Sequence, residues 1–239
     1  MVKKRLIMFI SLLFISYFLS SQVVLGCSNS IIKNDEKVIY LTFDDGPSVM
    51  TDKVLNILKE NDVKATFFLI GNQLKDQEAI VKRIHTEGHS IGLHTYTHEY
   101  KKIYCTKKGF IAEMLKSQDE INSIIGIKPT TIRFPSGSRK HLTKTFLTQL
   151  HSHNFKVYDW NAAMSDGINC KTPVARLYSE ATKTTVTNHP IILLMHCDYM
   201  HKNTCIALPG VIKFYKDNGY EFKIINDKTP ENYFPIESK

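Results

Sequence analysis

Two adjacent carboxylates, Asp44 and Asp45, end the apolar run Ile39-Tyr40-Leu41-Thr42-Phe43 and open the turn Gly46-Pro47. Further along, His94-Thr95-Tyr96-Thr97-His98 closes a second such run. Two like charges at the end of a buried strand are costly to keep unless a cation or a chemical task separates their roles. One aspartate and two histidines are a metal-ligand set, which leaves a carboxylate to spare and points to an enzyme. His94 and His98 are spaced so that both imidazoles can face one ion where a strand enters a helical turn. His85 and His89 have the same spacing, but His89 begins the strand that His94 ends. At about 3.3 Å per residue it lies roughly 16 Å away, so a structural role beside Gly88 is expected for it. Arg133 and His196 end two later strand-like runs.

These residues need a scaffold that gathers strand ends. Val38 to Phe43, Ala65 to Ile70, Ser90 to His94, Thr131 to Arg133, Phe155 to Tyr158, Ile191 to His196 and Glu221 to Ile225 read as strands. Between them, Thr51 to Glu60, Gln77 to Glu87, Gly109 to Ile125, Thr143 to His151, Pro173 to Thr182 and Ala207 to Asp217 carry apolar residues at helical spacing. Repeated βα units with right-handed crossovers imply an α/β fold with a largely parallel sheet, open or closed into a barrel. Such folds place their sites at the C-terminal ends of strands, where Asp44-Asp45, His94, Arg133 and His196 fall.

The 239 residues, 43% apolar, suit one globular domain, and 31 basic against 23 acidic residues give a net charge of +8. The first 26 residues stand apart. Lys3-Lys4-Arg5 is a basic start, Leu6 to Leu19 is mostly apolar, and Val24-Leu25-Gly26-Cys27 resembles a bacterial lipobox. The expected organisation is a lipoprotein-type signal peptide or membrane anchor over 1–26, a short tether over 27–37, and a catalytic domain over 38–239. A plain secretory signal and an uncleaved anchor remain alternatives to lipidation at Cys27. Export is expected, with the protein tethered to the outer face of a bacterial membrane, or secreted. Without the leader the balance is 28 basic to 23 acidic, or +5. That excess suits an anionic wall surface or solvated helix faces, and no nucleic-acid motif accompanies it. Outside the cytoplasm Cys105, Cys170, Cys197 and Cys205 have three possible disulfide pairings. Cys197 is expected to pair with Cys205 or to be a small buried residue.

Taken in order, Thr42-Phe43-Asp44-Asp45-Gly46, His94 to His98, Arg133-Phe134-Pro135-Ser136-Gly137, Asp166 and Leu194-Met195-His196 resemble the five motifs of the polysaccharide deacetylases with a NodB homology domain, carbohydrate esterase family 4. The phrases around His94 and Glu99 to Tyr104 are similar to its peptidoglycan N-acetylglucosamine deacetylase branch. The resemblance implies a distorted (β/α) barrel with about seven parallel strands and hydrolysis of N-acetyl groups on a cell-wall glycan by a monomeric enzyme. It makes Asp45, His94 and His98 ligands of one divalent metal, Zn2+ by default, with Co2+, Ni2+, Mn2+ or Fe2+ as alternatives. Asp44 becomes the general base, Arg133 its orienting cation, and His196 the general acid supported by Asp166. Ser136 would offer a backbone N–H to the oxyanion and, with Pro135 and Gly137, line the substrate. Leu194 would line the methyl pocket, and Trp160 would stack on a sugar or pack at its strand end.

The chain departs from the family at Ser136, where an aromatic is frequent, and at Gly167, where a Trp is. Other substrates of the family, N-acetylmuramic acid, chitin-type chains, poly-N-acetylglucosamine and acetylxylan, stay open. Two further readings compete. A non-haem iron oxygenase uses the same ligand types but does not explain Asp44, Arg133 or the Asp166–His196 pair. A non-catalytic glycan-binding barrel should have lost Asp44 or a ligand, and all are present.

Overall fold

The computed structural model describes residues 37–183 and 190–237. The leader, Cys27 and most of the tether therefore lie outside the described residues. Strand β1 (Val38–Gly46) is the centre of the sheet, buried along nearly its whole length. A near-continuous apolar run is what a parallel strand covered on both faces requires. The remaining strands are β2 (Thr66–Leu69), β3 (Ser90–Leu93), β4 (Thr131–Ile132), β5 (Lys156–Val157), β6 (Ala162–Ala163), β7 (Ile191–His196) and β8 (Glu221–Phe222). Their order is β5-β4-β3-β2-β1-β7-β6, with β8 paired to the start of β1. Every pairing is parallel. This is the distorted (β/α) barrel with seven parallel strands in its path, plus one short strand beside β1.

The helices are α1 (Val49–Glu60), α2 (Glu78–Thr86), α3 (Tyr100–Ile103), α4 (Lys107–Ile125), α5 (Lys144–Ser152), α6 (Val174–Thr182) and α7 (Lys202–Asp217). Strand alternation divides the core into two layers. Ile39, Leu41 and Phe43 of β1 face the helices within one large cluster, whereas Val38 and Tyr40 join Phe68, Tyr158, Ile192 and Ile225 inside the curl. Thr42 and Asp44 share this inner parity, which is why Asp44 points into the barrel mouth.

Three differences from the sequence reading have local causes. Helix α7 begins at Lys202, five residues before the expected Ala207, because the polar stretch Lys202-Asn203-Thr204 hides its register. Strand β6 and helix α3 were not anticipated, being only two and four residues long. Strand β8 ends at Phe222 rather than Ile225.

Strands β5 and β6 lie at opposite edges of the sheet, yet only Tyr158-Asp159-Trp160-Asn161 separates them. The chain crosses the open seam directly, and the Asn161 N–H donates to Ile192 O (3.2 Å) as it arrives. The β5 edge is covered by the C-terminal segment, where Tyr158 bridges Asn232. An edge so covered offers no template for another strand.

Gly92 of β3 lies beside Phe68 of β2 in this ladder. A Cβ there would stand 2.5 Å from Phe68 Cδ1 and 3.2 Å from Thr131 O. The replacement Gly92→Ala is expected to cost about 1–3 kcal/mol of stability through overpacking. Urea denaturation measures it, and an unchanged midpoint would show that Phe68 has room to move.

Candidate active site and metal centre

The turn after β1 is fixed by the start of α1. Ser48 Oγ accepts the N–H groups of Met50 (2.9 Å) and Thr51 (3.4 Å), while Thr51 Oγ1 accepts the Ser48 N–H, a reciprocal capping box. Ser48 Oγ also donates to Cys197 O (2.7 Å), tying this turn to the end of β7. In the β1–β7 ladder Asp44 is the direct partner of His196.

Asp44 and Asp45 differ in their main partners, although Asp44 Oδ2 also stands 3.7 Å from His94 Nε2. Asp44 Oδ1 accepts Arg133 Nη1 at 2.8 Å, with both side chains almost wholly buried. Asp45 Oδ1 stands 3.5 Å from His94 Nε2 and 3.4 Å from His98 Nε2. It is buried and accepts no hydrogen bond. Ligand atoms of Asp45, His94 and His98 all lie within 4.8 Å of one another. His94 Nδ1 is held by Arg133 O at 2.9 Å, which leaves Nε2 facing the aspartate. Burial pushes the His94 pKa down to about 3 against the opposing charge of Asp45, keeping the imidazole neutral as a ligand must be. An orphaned carboxylate oxygen facing two imidazole nitrogens is a donor set that fits a divalent cation.

Arg133 is fully buried. Beyond Asp44, its Nη1 donates to Thr42 Oγ1 (2.8 Å) and its Nε to Tyr158 O (2.8 Å), and its guanidinium lies 4.1 Å from the Phe68 ring centroid. For Asp44, burial outweighs the attraction of Arg133 and His196 and raises the carboxyl above its ordinary pKa. Arg133 thus orients Asp44 and pulls its pKa down, but by less than burial raises it.

Across the mouth, His196 Nδ1 bonds Asp166 Oδ1 at 2.9 Å. Asp166 also accepts the N–H of Gly167 on Oδ1, and the His196 N–H and Thr204 hydroxyl on Oδ2. Burial depresses the His196 pKa, but its bond to Asp166 and the charges of Asp166, Asp44 and Asp45 win and raise it to about 9. His201, stacked 5.3 Å from His196, completes a second group of ligand types with Asp166. Both Asp166 oxygens are already committed to hydrogen bonds, so that group is a support for His196.

Of the three loop residues expected to line the substrate, Ser136 is exposed, whereas Pro135 and Gly137 are buried. Ser136 has φ 63°, and its N–H takes no backbone acceptor among the described residues. Leu194 is buried on β7 with the same parity as His196. Trp160 is half-buried against the inner cluster and edge-on to Phe234 at 5.2 Å, the packing arrangement. His89 accepts the Ala65 N–H at the opening of β3, apart from the ligands as expected. The four cysteines among the described residues are free thiols, and Cys197 and Cys205 are both buried.

Several supporting residues escaped the sequence reading. Glu113 on α4 accepts the N–H groups of Tyr96 (3.0 Å) and Thr97 (2.7 Å), fixing the turn between the two histidines. Its signal was present: a lone acid on a helix face otherwise made of Phe110, Met114, Ser117 and Ile121. One helical turn past His98, Tyr104 donates to Pro135 O (2.6 Å), and Tyr100 meets Ser136 Oγ (2.8 Å). The ring of Tyr100 is also edge-on to His98 at 5.4 Å. This tyrosine pair therefore ties the ligand turn to the loop of Ser136. Asp45, Thr95, His98 and Ser136 are all non-glycine residues at positive φ, a concentration of strained backbone that the packing around a site must sustain.

A Cβ on Gly167 would stand 2.3 Å from His196 Cε1 and 2.6 Å from Nε2. The departure at this position is thus a requirement of where the ring sits. Gly167→Ala is expected to lower kcat roughly ten- to hundredfold by displacing the imidazole. Metal content, measured by atomic absorption, should be unchanged, and full activity would show that the ring does not depend on this space.

Comparison with known proteins supports the same assignment. The polysaccharide deacetylase family model matches residues 32–158. The chain is 38% identical to a peptidoglycan-N-acetylglucosamine deacetylase of Bacillus cereus, over 84% of this chain and 73% of that protein. Its fold superposes on the crystal structure of a polysaccharide deacetylase from Bacillus cereus with a TM-score of 0.75 and 36% identity, covering 84% of this chain and 96% of the other. A CE4 esterase of Streptococcus mutans gives a TM-score of 0.73 and 31% identity, over 81% and 87%. The chain belongs to the polysaccharide deacetylase family.

Proposed function

We propose that this enzyme removes the N-acetyl group from N-acetylglucosamine in peptidoglycan, releasing acetate and leaving a free amine on the sugar. The relative from Bacillus cereus carries that activity in its name. The observation that carries the reading is the unequal division of the adjacent carboxylates: Asp44 Oδ1 is held by Arg133 and its Oδ2 stands 3.7 Å from His94, while Asp45 Oδ1 faces both His94 and His98 without a hydrogen bond. A purely structural pair, or the three-residue set of an iron oxygenase, gives no reason for that division.

Asp45, His94 and His98 would hold one divalent ion, with Zn2+ the default for two imidazoles and a carboxylate. When bound, such an ion supplies a Lewis acid that polarises the acetyl carbonyl and acidifies water. Asp44, with one oxygen tied to Arg133, presents the other to the attacking water and takes its proton as the new C–O bond forms. The Ser136 N–H is the fixed dipole available to the oxyanion. His196, with Nδ1 engaged by Asp166, has Nε2 free to protonate the nitrogen as the C–N bond breaks. Leu194 supplies apolar surface for the methyl group. The unit is a monomeric catalytic domain over 38–239. It follows an export leader over 1–26 and a tether over 27–37 that hold it by lipid or anchor outside the cell membrane, or release it. No helix among the described residues is long and apolar enough to cross a membrane.

Mass spectrometry of muropeptides incubated with the purified chain tests this directly. Each N-acetylglucosamine should lose one acetyl group, and unchanged masses would refute the assignment. Asp44→Asn should keep the metal and lose roughly 10²- to 10⁴-fold in kcat. Asp45→Asn should lose metal and activity together. Because the acid must be protonated, kcat should fall as pH rises past the His196 pKa. Asp166→Asn, which removes the charge that raises it, should move that basic limb to lower pH; a limb that stays in place would assign the acid to another group.

A further inference from the structure

The loop that carries Ser136 continues into an exposed basic stretch. Arg139 and Lys140 follow within four residues and are exposed, as is Lys144 at the start of α5. With Leu142, Thr143, Ile236 and Glu237 they line a groove of about 330 Å³. Lys107, at the start of α4, reaches the rim by donating to Thr143 Oγ1 (3.2 Å). The groove is joined to the catalytic loop by packing. The Arg139 guanidinium lies 5.1 Å from the Phe234 ring, Phe234 is edge-on to Trp160, and a Cβ on Gly137 would touch both rings.

Packing accounts for these charges only in part: Arg139 lies over the Phe234 ring and Lys107 over the Phe146 ring at 5.6 Å. Among the described residues, Arg139, Lys140, Lys144 and Lys107 form no ion pair, although Glu237 shares the groove. Lys107 and Lys144 each open a helix with no acid in its first turn, where the helix dipole disfavours a cation. Other surface lysines among the described residues also lack an ion pair, and local pairing as in Arg176–Glu180 and Lys213–Asp217 is found at some of them. What sets these four cations apart is that they gather on one groove beside the catalytic loop. Unpaired cations kept together beside a catalytic loop favour an anionic partner that arrives with the substrate.

Resting on the functional reading above, we infer that this groove is a substrate subsite for the carboxylates of peptide-bearing glycan, and that it selects acidic wall glycan over neutral N-acetylglucosamine polymers. The reacting sugar itself is neutral, so charge recognition has to act on a substituent of a neighbouring sugar. In peptidoglycan that substituent is a lactyl-linked peptide ending in carboxylates, carried by every second sugar. A groove whose lining begins at Arg139, three residues past Ser136, is placed to meet it while the acetyl group lies at the metal.

The test compares two substrates of equal sugar number, a peptide-bearing peptidoglycan fragment and a neutral N-acetylglucosamine oligomer, using the metal-loaded full chain. With wild type, salt should raise KM for the peptide-bearing fragment and leave the neutral oligomer unaffected. The triple variant Arg139→Gln, Lys140→Gln, Lys144→Gln should raise KM for the peptide-bearing fragment roughly tenfold, with kcat unchanged and its salt dependence gone. Its KM for the neutral oligomer should stay at the wild-type value. The single variant Lys140→Gln should show a smaller shift in the same direction and stands in if the triple variant fails to fold. Equal KM changes on both substrates, or none on either, would overturn the inference while leaving the deacetylase reading intact. No acetate from either substrate with wild type would overturn the deacetylase reading, and the inference with it.

Discussion

The arrangement depends on the buried pair formed by Arg133 and Asp44. A guanidinium with no solvent exposure is tolerable only when its donors are met, and here they reach Asp44, Thr42 and the carbonyl of Tyr158, with Phe68 beneath the plane. These partners belong to β1, β2 and the end of β5, so the cation is a cross-brace through the inside of the curl. Removing one member of such a pair leaves an uncompensated buried charge and costs about 3–5 kcal/mol. The same brace fixes where Asp44 points and, through the Arg133 carbonyl, which nitrogen of His94 is free. Catalytic geometry and barrel integrity therefore share one residue.

Around this brace lies a tier of residues whose task is to hold others still. Glu113 meets the backbone of the turn between the two histidines, Thr204 meets Asp166, and Tyr104 meets the carbonyl of Pro135. Glu113 and Thr204 sit on α4 and α7 and Tyr104 just past the end of α3, whereas the residues they steady sit in the short segments between strands and helices. Positive φ at Asp45, Thr95, His98 and Ser136 shows why the tier is needed: left alone, those backbones would relax to the commoner regions.

Much of this was legible in the sequence, and unevenly so. The chemistry-bearing residues at strand ends could be read because a parallel strand buried on both faces leaves a long apolar run, and a charge that terminates it stands out. The parallel sheet could be read from the repeated βα units, and every observed pairing is parallel. The assignment of Asp44 and Asp45 to separate tasks came from the motif resemblance. Strand β6 was invisible because two residues carry no period, and α3 because four residues do not complete a recognisable face. The departure at Gly167 was visible but its reason was not: the absence of a side chain is informative only once the ring it makes room for, His196, is seen beside it. The free thiols were beyond reach, since three pairings were open and the fold forms none.

The central place of β1 has a consequence for how the protein comes into being. One edge of β1 meets β2, which follows closely in the sequence, but the other meets β7, which is among the last elements of the chain. Asp44 thus lies beside His196, and this pairing waits until nearly the whole polypeptide has been delivered. No N-terminal fragment can be a slower version of this enzyme, because none contains both sides of the mouth. Catalytic output in any preparation should accordingly count completed molecules, and a truncated chain is silent rather than promiscuous.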